Sequence, residues 1–531
     1  MRLMKQRGTL SLTKNNYSLI NHPVIKSPSH QILPVMKKII LTIATFSLAI
    51  NGFTFCGFYV AKADTKLFNK TSQVIICRDG NKSTITMSSD FEGDVKDFAM
   101  VVPVPVVLEK KDIRVVERSL FDKLDAYSSP RLVEYYDEDP CNTYEFYQNY
   151  PLSTAGAMDY EDVEVTKSTT KEKYNVTIEA KYTVGEYDIL ILSAKESGGL
   201  EMWLTDNGYK IPTGAKEVLD PYIKSNMKFF VAKVNLGNYT SAGAVPLRPL
   251  QVTFDSPKFM LPIRLGMANA DGDQDMIVYA FSKTGRIETI NYRTVQVPTD
   301  MKVPLFVANE FGPFYKDLYT RAWRREEKDV VFLEYAWEVS PMQNVFCDPC
   351  VGDPPMVQEL KESGVTWLQS KGQDYHTGGN VYDGKVYFTR LHVTYSRSTF
   401  PQDLMFQETP NKSNWQARYV LTHPASSGFD CDKGQTYLYE LRKRRWDELY
   451  TYQWLTGRDI NTHLDYPVEY NQFIKKKNTK DQGETPYTYT APTSKPNGGG
   501  GMGVIFLSMG TLLAIFFALS RTREKKDVAA A

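Results

Sequence analysis

A charge-free apolar segment close to the C-terminus constrains this chain more than any other feature. Residues 502–520 contain no charged residue and no Pro, and ten of them are Val, Ile, Leu or Phe. A helix of this length reaches about 28 Å at a rise of about 1.5 Å per residue, close to the thickness of a hydrocarbon core. Basic residues follow at once, and basic flanks favour the cytoplasmic side. We predict one transmembrane helix over 502–520 and a cytoplasmic basic tail over 521–531.

A second apolar segment lies near the N-terminus and is too short to span a bilayer comfortably. Residues 39–50 follow Met36, Lys37 and Lys38, and a basic start before a short apolar run is typical of a secretory signal peptide. We predict a signal peptide over 36–55, with its cleavage site left open, and interpret residues 1–35 as a start-site artefact or leader. Together, the two segments predict a single-pass membrane protein with an exported body, periplasmic or extracellular.

Residues 475–501 join the body to the predicted span. Their Lys, Thr, Pro and Gly content is typical of a flexible stalk that buries nothing. The glycine run 498–501, ahead of an apolar segment and a basic end, also resembles a C-terminal sorting signal whose tail a protease removes. A flexible stalk before a retained anchor is the interpretation we favour.

The net charge of the chain is +1, but its two ends conceal an acidic middle. Residues 1–62 carry eight Lys or Arg and no acid, and residues 521–531 carry four basic and two acidic residues. The 51 basic and 60 acidic residues in between leave a net charge of −9. This charge argues against a nucleic-acid partner, since neutralising phosphates needs a surplus of Lys and Arg. Only six His in the whole chain argue against a His-based metalloenzyme.

Alternating apolar and polar residues dominate the body. Residues 174–184 alternate throughout, and Asp79-Gly80 separates two apolar runs as a hairpin turn does. The run 101–107 holds two Pro, which predicts an edge strand or an extended crossing. Helical segments are fewer: 119–128, 213–220, 314–328, 354–370 and 435–455. The pattern favours an α+β fold with predominantly antiparallel β-sheets and a few amphipathic helices, in addition to the C-terminal transmembrane helix.

The acidic, Thr-rich stretch 152–172 is the predicted domain boundary of the exported part. We predict an N-terminal β-rich unit over 56–151, an acidic linker over 152–172 and a main α+β body over 173–474. A second, weaker boundary falls at 396–414.

Seven stretches of the body carry a resemblance to a known family. They are CGFYVAKADTKLFNKTSQV (56–74), DFAMVVPVPVVL (97–108), DAYSSPRLVEYYDEDPC (125–141), GEYDILILSAKESGGLEMWL (185–204), MKFFVAKVN (227–235), LPIRLGMANADGDQD (261–275) and FCDPC (346–350). In combination they are similar to the bacterial domain-of-unknown-function family 2330, over roughly residues 56–430. The resemblance implies a signal peptide and often a C-terminal anchor. It implies no activity and assigns no functional residue.

Six cysteines in an exported chain are expected to be mostly oxidised. Cys56 and Cys141 bracket the first unit, so we predict a disulfide between them. The alternative is a bond between Cys77 and Cys141. Cys77 otherwise stays as a buried free thiol in a hairpin strand.

Cys347 and Cys350 form a C-x-x-C motif between a predicted strand and a predicted helix. Such a pair is either a redox dithiol or a set of structural sulfurs. Cys431 offers a structural disulfide to one of them, and structural bonding is the interpretation we favour. Four Cys or His ligands at zinc spacing are not assembled, which disfavours a zinc site.

Asp271, Asp273 and Asp275 have the D-x-D-x-D start of a calcium loop. An EF-hand needs Gly and Glu where Met276 and Ser282 stand. At Asp273 the chain also departs from the pattern expected of the resembled family. The three residues are weak metal-site candidates, and we favour a polar turn with no metal and no cofactor.

The body lacks the motifs that identify common catalytic sites, including G-x-S-x-G and H-E-x-x-H. His392 stands alone in a strand pattern and is expected to be packed. We therefore predict no catalytic residue and a non-enzymatic binding, adhesion or scaffold module of the cell envelope, with a protein or carbohydrate ligand. The alternative is an envelope enzyme, either a thiol-disulfide oxidoreductase using Cys347 and Cys350 or a hydrolase with dispersed carboxylates.

Overall fold

The computed structural model describes residues 58–59, 72–88, 99–141, 170–207, 215–241, 247–268, 272–341, 353–373, 380–426 and 429–467. This part of the chain has a mixed α+β fold with 23 strands and seven α-helices, numbered below in chain order. Its sheets are mostly antiparallel. The predicted α+β class with antiparallel sheets is therefore confirmed for the described residues.

The largest sheet has nine strands. Its order is β15 (Arg293–Gln296), β17 (Val330–Glu338), β20 (Tyr387–Tyr395), β13 (Gln274–Ser282), β2 (Ser72–Asp79), β3 (Lys82–Ser88), β11 (Leu250–Asp255) and β5 (Ile113–Val115), and β22 (Trp415–Gln416) pairs with β17. Most residues of the central strands β2, β13 and β20 are buried. Strands β2 and β13 are buried on both faces, which explains their apolar runs, whereas β20 also buries Arg390 and His392.

The second large sheet has six strands. Its order is β1 (Phe58–Tyr59), β4 (Ala99–Val104), β10 (Lys228–Val234), β9 (Tyr187–Ala194), β8 (Val176–Val184) and β7 (Thr170–Lys173). The proline-containing run 101–107, predicted as an edge strand or an extended crossing, contributes to β4 as far as Val104. On one side Pro103 pairs with Phe229 of β10, while β1 reaches only Met100 and Val101 on the other. Among the described residues, β4 is therefore open on its second side at Pro103, where a missing N–H costs nothing.

Three small sheets complete the β-structure. They are β12 (Met260–Leu261), β21 (Leu404–Glu408) and β14 (Ile287–Thr289); β16 (Met301–Lys302), β23 (Arg418–His423) and β6 (Arg131–Tyr136); and β18 (Gln369–Gln373) with β19 (Asn380–Asp383). In the described residues, parallel pairing joins β2 to β13, β15 to β17, and β23 to both β16 and β6.

The helices fall largely where apolar periodicity predicts them. They are α1 (Ser119–Ser128), α2 (Ser197–Asp206), α3 (Ala215–Lys224), α4 (Leu236–Ser241), α5 (Phe311–Arg325), α6 (Val357–Glu362) and α7 (Asp432–Thr456). Five of them overlap the five predicted segments. Helices α2 and α4 were not among the predictions.

The main hydrophobic core lies between the two large sheets. It joins Ile76 and Val278 of the nine-stranded sheet to Val102, Ile191 and Phe230 of the six-stranded sheet. Helices α1 and α6 contribute to a second cluster on the outer face of the larger sheet, and α2 and α3 to a third on the outer face of the smaller one. The sequence unit 56–151 and the sequence unit 173–474 therefore share one core.

The alternating segment 174–184 forms β8, but its apolar residues do not share one face. A β-bulge lies between Ile178 and Ala180. Val176 and Ile178 contact the helix-side cluster, whereas Ala180 and Tyr182 contact the core between the sheets. An extra residue reverses the side-chain alternation, so a single strand serves two cores.

The predicted hairpin at Asp79-Gly80 is present, joining β2 to β3. Asp79 pairs with Lys82, so the loop residues are Gly80 and Asn81. Gly80 has a φ of 59°, which Gly adopts without a steric penalty.

None of the helices in the described ranges is both long and apolar enough to cross a membrane. The predicted signal peptide over 36–55, stalk over 475–501, transmembrane helix over 502–520 and tail over 521–531 lie outside the described residues. These four assignments remain predictions.

Candidate functional site

A buried charge network lies on the helix side of the nine-stranded sheet. Glu334 of β17 lies at its centre with no exposed surface. Its Oε2 accepts a hydrogen bond from Nε of Arg390 at 2.6 Å, and its Oε1 lies 2.7 Å from Nδ1 of His392. The hydroxyl of Tyr315 on α5 donates to Oε1 at 2.6 Å. The Glu334 carboxylate therefore links strands β17 and β20 to helix α5.

A β-bulge aims Glu334 into this network. The register of β17 against β20 shifts between Leu333 and Tyr335, so Glu334 is the extra residue. Leu333 and Ala336 contact the core between the sheets, while Tyr335 contacts the cluster that α1 and α6 form on the outer face of the nine-stranded sheet. Bulges commonly redirect a side chain in this way.

His392 lies between two carboxylates. Its Nε2 is 2.9 Å from Oδ1 of Asp275, which also accepts a hydrogen bond from Thr394 at 2.7 Å. The ring of Tyr319 stacks on the imidazole with centroids 4.0 Å apart. Burial favours the neutral ring, but Asp275 and Glu334 outweigh burial and raise the pKa of His392 to about 10. His392 is therefore a buried imidazolium.

The same charges act on the carboxylates. Burial raises the pKa of Glu334, but His392 and Arg390 outweigh burial and lower this pKa to about 2. At Asp275, burial raises the pKa and His392 lowers it. The net effect is that the pKa of Asp275 lies below its usual value. All these charged groups therefore stay ionised over the ordinary pH range.

Arg390 extends the network to α1. Its Nη1 donates to Oδ1 of Asp125 at 2.6 Å, and the hydroxyl of Tyr279 donates to the same oxygen at 2.8 Å. The Arg390 guanidinium also lies over the Tyr279 ring, 5.4 Å from its centroid. Strands β13, β17 and β20 are in this way connected to helices α1 and α5.

The polar groups of this network bond one another within the fold. Both ring nitrogens of His392 are bonded to carboxylates, so the ring has no nitrogen left to accept a proton from a substrate. Sequence reasoning anticipated a packed His392 but missed Glu334 and Arg390. The signal was present, because Glu334 is the one charged residue in the buried part of this strand, residues 330–336.

The disulfide in the described part of the chain joins Cys141 to Cys431, 290 residues apart. The expected bond between Cys56 and Cys141 is therefore wrong, and so is the expected bond from Cys431 to Cys347 or Cys350. Cys56, Cys347 and Cys350 themselves lie outside the described residues.

Long-range parallel pairing explains this connectivity. Strand β6, which ends at Tyr136, lies beside β23, which ends at His423, over six residue pairs. The chain segments after the two strands therefore leave the sheet at the same end. Cys141 then meets Cys431, the N-cap residue of α7. Sequence order alone gives no sign of this neighbourhood.

Cys77 is a free, buried thiol. Burial and the charges of Asp79 and Glu408 raise its pKa well above the usual value. It stays protonated and does not act as a nucleophile, which needs the thiolate. The alternative bond between Cys77 and Cys141 is excluded by the Cys141–Cys431 disulfide.

The aspartate run does not assemble as a calcium loop in the residues that the structure describes. Asp275 is bonded to His392 and Thr394, Asp273 is exposed, and Asp271 lies outside the described ranges. Across those ranges there is no group of three or more His, Cys, Asp or Glu side chains positioned to hold a metal ion.

An apolar cavity of about 190 Å³ lies between the two large sheets. Buried residues from β3, β4, β11 and β12 line it: Ile85, Met87, Val102, Val104, Val252 and Leu261. An apolar cavity of about 150 Å³ stays dry and admits a benzene-sized molecule. This cavity is therefore large enough for one small apolar group and offers that group no charged partner inside.

The mouth of the cavity is accessible to solvent. Ser225 and Lys258 are exposed there, and Met227 is half-buried. The wall continues along the chain from Pro105 to Val106 and Val107, which are 37% and 41% exposed. An apolar pocket with an apolar margin and a few polar rim residues is typical of a binding site.

The described fold and its sites define a two-sheet α+β protein with a closed ionic network and an open apolar cavity. The model of the family described as "Uncharacterized protein conserved in bacteria (DUF2330)" matches residues 51–407. The chain belongs to this family, which confirms the expected family. No curated protein and no solved structure matches the chain.

Proposed function

We propose that this protein is a non-enzymatic binding or adhesion module of the bacterial cell envelope, exported and held by one C-terminal span. The observation that carries the binding role is the open apolar cavity beside β4. In this proposal a protein partner inserts an apolar side chain, such as a Phe ring, into the cavity between Met87, Val102 and Val252. Anchors of this kind dominate the affinity of many protein interfaces.

The lining supports a side-chain anchor better than a sugar. The cavity walls are mainly aliphatic and proline side chains with one aromatic ring, Phe254, and Ser225, Ser256 and Lys258 are the few polar residues of the lining. Burying sugar hydroxyls against such walls without hydrogen bonds is costly. A Phe side chain has no polar group that would lose a hydrogen bond on entering the cavity. The flexible side chain of Met227 at the mouth can adapt to the shape of the ring.

The exported address is supported by the sequence alone. The apolar segments 39–50 and 502–520 flank the body in the order of a signal peptide and a stop-transfer helix. The net charge of −9 over residues 63–520 further disfavours nucleic acid as the partner.

The rival proposal is an envelope enzyme. Of the candidate chemical groups that the structure describes, His392 is committed to two carboxylates and Cys77 is a buried thiol. These observations weaken a hydrolase built on the central network. A thiol-disulfide oxidoreductase using Cys347 and Cys350 remains the alternative, and the reversibility of a bond between them would test it.

A capped and an uncapped variant of the full-length protein test the binding role. Ser225→Trp places a large ring over the mouth from an exposed position, without touching the buried lining. Ser413→Trp adds the same ring at an exposed position outside the cavity lining. We expect N-acetyl-phenylalaninamide to bind the wild type and Ser413→Trp in ligand-observed NMR, and to bind Ser225→Trp at least about tenfold more weakly. Equal binding by all three proteins, or none by any, would count against the cavity as the site.

A further inference from the structure

Helix α5 and the C-terminal end of α7 form a second groove, of about 580 Å³. Three arginines of α5 line it: Arg321, Arg324 and Arg325. They lie within five residues of each other, so the spacing of a helix places all three toward one side. Thr456 and Gly457 at the end of α7 form the opposite wall.

Two of the arginines are held in place by the main chain of α7. Nε of Arg321 and Nη2 of Arg325 each donate a hydrogen bond of 3.0 Å to the carbonyl oxygen of Trp454. The Arg325 guanidinium also lies over the Trp454 ring, 4.5 Å from its centroid. These contacts fix the two side chains before any ligand arrives, which reduces the entropy lost on binding.

The backbone of α7 leaves room for Arg321. Helix α7 ends at Thr456, and its C-cap residue Gly457 has a φ of 75°. A Cβ atom at this position would lie 2.5 Å from Nη1 of Arg321. Gly457 therefore serves both the left-handed helix end and the close approach of the guanidinium.

The positive charge of the groove is not neutralised by the described part of the chain. No carboxylate there forms an ion pair with Arg321, Arg324 or Arg325. Asp317 also lines the groove, but Arg458 binds it at 2.6 Å. Burial and the neighbouring charge of Arg321 lower the pKa of Arg325. Helices α5 and α7 both end at the groove, and each C-terminus contributes about half a negative charge. The three arginines therefore keep a positive excess of about two charges.

We propose that this groove binds the phosphate groups of a diphosphate-type anion. Planar guanidinium groups donate paired hydrogen bonds that match phosphate oxygens. Three arginines supply enough charge for two linked phosphate groups, and the pre-positioned Arg321 and Arg325 leave Arg324 to close on the ligand. This site is separate from the apolar cavity and does not depend on the proposed binding role of that cavity.

Arg324 provides the cleanest test, because its side chain is exposed and forms no hydrogen bond or ion pair with the described residues. We expect inorganic pyrophosphate to bind the full-length protein in isothermal titration calorimetry. Loss of the Arg324 hydrogen bonds to a charged ligand should weaken binding at least about tenfold in Arg324→Gln. Arg324→Lys keeps the charge but loses the fork and should give an intermediate affinity.

Arg442→Gln is the matched control. Arg442 is an exposed arginine of α7 outside the groove, so its substitution changes the net charge equally. It should leave pyrophosphate binding unchanged at constant ionic strength. Circular dichroism of each variant checks that the fold is retained.

A second experiment distinguishes a soluble phosphate ligand from a lipid headgroup. Vesicles containing cardiolipin, a lipid whose headgroup links two phosphate groups, are compared with vesicles of phosphatidylcholine in a flotation assay with the same variants. Binding of pyrophosphate that Arg324→Gln weakens supports a soluble phosphate ligand, and anionic-vesicle binding that the same variant weakens supports a lipid headgroup. If Arg324→Gln and Arg442→Gln behave alike toward both ligands, or if neither ligand binds the wild type, the proposal is overturned.

Discussion

Nδ1 of His392 lies 2.7 Å from Oε1 of Glu334, across two neighbouring strands of the nine-stranded sheet. The two residues are 58 positions apart in the chain. Glu334 has no exposed surface, and His392 is only 9% exposed. A carboxylate and an imidazolium are thus buried together, and each satisfies the charge of the other.

Removing the charge of Glu334 should destabilise the fold strongly. Glu334→Gln leaves Arg390 and His392 buried with one negative charge fewer, and breaking a buried ion pair typically costs about 3–5 kcal/mol. Urea denaturation followed by circular dichroism measures the change. Glu217→Gln, at an exposed position on α3, is the control and should change the free energy of unfolding by less than about 0.5 kcal/mol. Equal effects of the two changes would contradict the structural role of Glu334.

The stability of the fold should fall at alkaline pH because of His392. The pKa of His392 is about 10 in the folded state and 6.5 without the fold. Its stabilising contribution is therefore fully present below pH 6.5 and is lost as the pH rises through 10. In His392→Asn the loss of stability over this range should be shallower, as measured by urea denaturation at a series of pH values. His463→Asn removes an imidazole outside the network and should keep the wild-type slope.

The stability of the fold should also fall at acidic pH, because of Glu334. Its pKa is about 2 in the folded state and 4.5 without the fold. Because this pKa is depressed, the contribution of Glu334 is present above pH 4.5 and is lost as the pH falls toward 2. Acid titration of the wild type and Glu334→Gln should show a smaller acid-dependent loss in the variant. Parallel curves would show that Glu334 does not couple to acid unfolding.

Breaking the disulfide should lower stability and expose one thiol. Cys141→Ser removes a cross-link that closes a very long loop, and loss of a native disulfide typically costs about 2–5 kcal/mol. We expect a lower melting midpoint and alkylation of Cys431 under denaturing, non-reducing conditions, read by mass spectrometry. Cys56→Ser is the control and should leave Cys431 unreactive. A reactive Cys141 in Cys56→Ser would overturn the connectivity.

Two adjacent glycines of α2 should respond in opposite directions to the same change. A Cβ atom at Gly199 would lie 2.3 Å from the carbonyl oxygen of Tyr174, whereas at Gly198 it would meet nothing within 4 Å. Gly199→Ala should cost about 1–3 kcal/mol through overpacking. Gly198→Ala should stabilise by about 0.5–1 kcal/mol through helix propensity. Thermal denaturation of the pair distinguishes the two, and a shared sign would contradict the close approach of α2 to Tyr174.

The exported topology can be checked by protease protection. Protease added to spheroplasts of the expressing cells should digest the body and leave a small tail fragment with the span over 502–520. A cytosolic protein serves as the control for intact membranes. A full-length body that survives while an exported control protein is digested would contradict the topology.

Local elements were predictable from the sequence because their causes are local. Helix α1 lies at the predicted 119–128, and the predicted hairpin joins β2 to β3 with its loop at Gly80 and Asn81. Apolar periodicity and turn residues act over a few positions, so they can be read without knowing the fold. The family could be recognised for a related reason, since its strings stand in the sequence itself.

Faces and partners were not predictable from the sequence. Perfect alternation over 174–184 predicts one apolar face, yet the bulge after Ile178 divides β8 between two cores. The bulge at Glu334 likewise turns a charge toward His392 and Arg390. One extra residue in a strand leaves the alternation pattern of the sequence intact while reversing the faces.

The sequence by itself determined the fold class, the family and most helix positions, because these follow from short-range periodicity and from motifs. Only the tertiary structure decided that Cys141 meets Cys431, that Glu334 binds His392, and that β3, β4, β11 and β12 enclose an apolar cavity. Each of these depends on strands pairing across long stretches of chain. Such pairing is decided by the packing of whole sheets against each other, and no short stretch of sequence contains it.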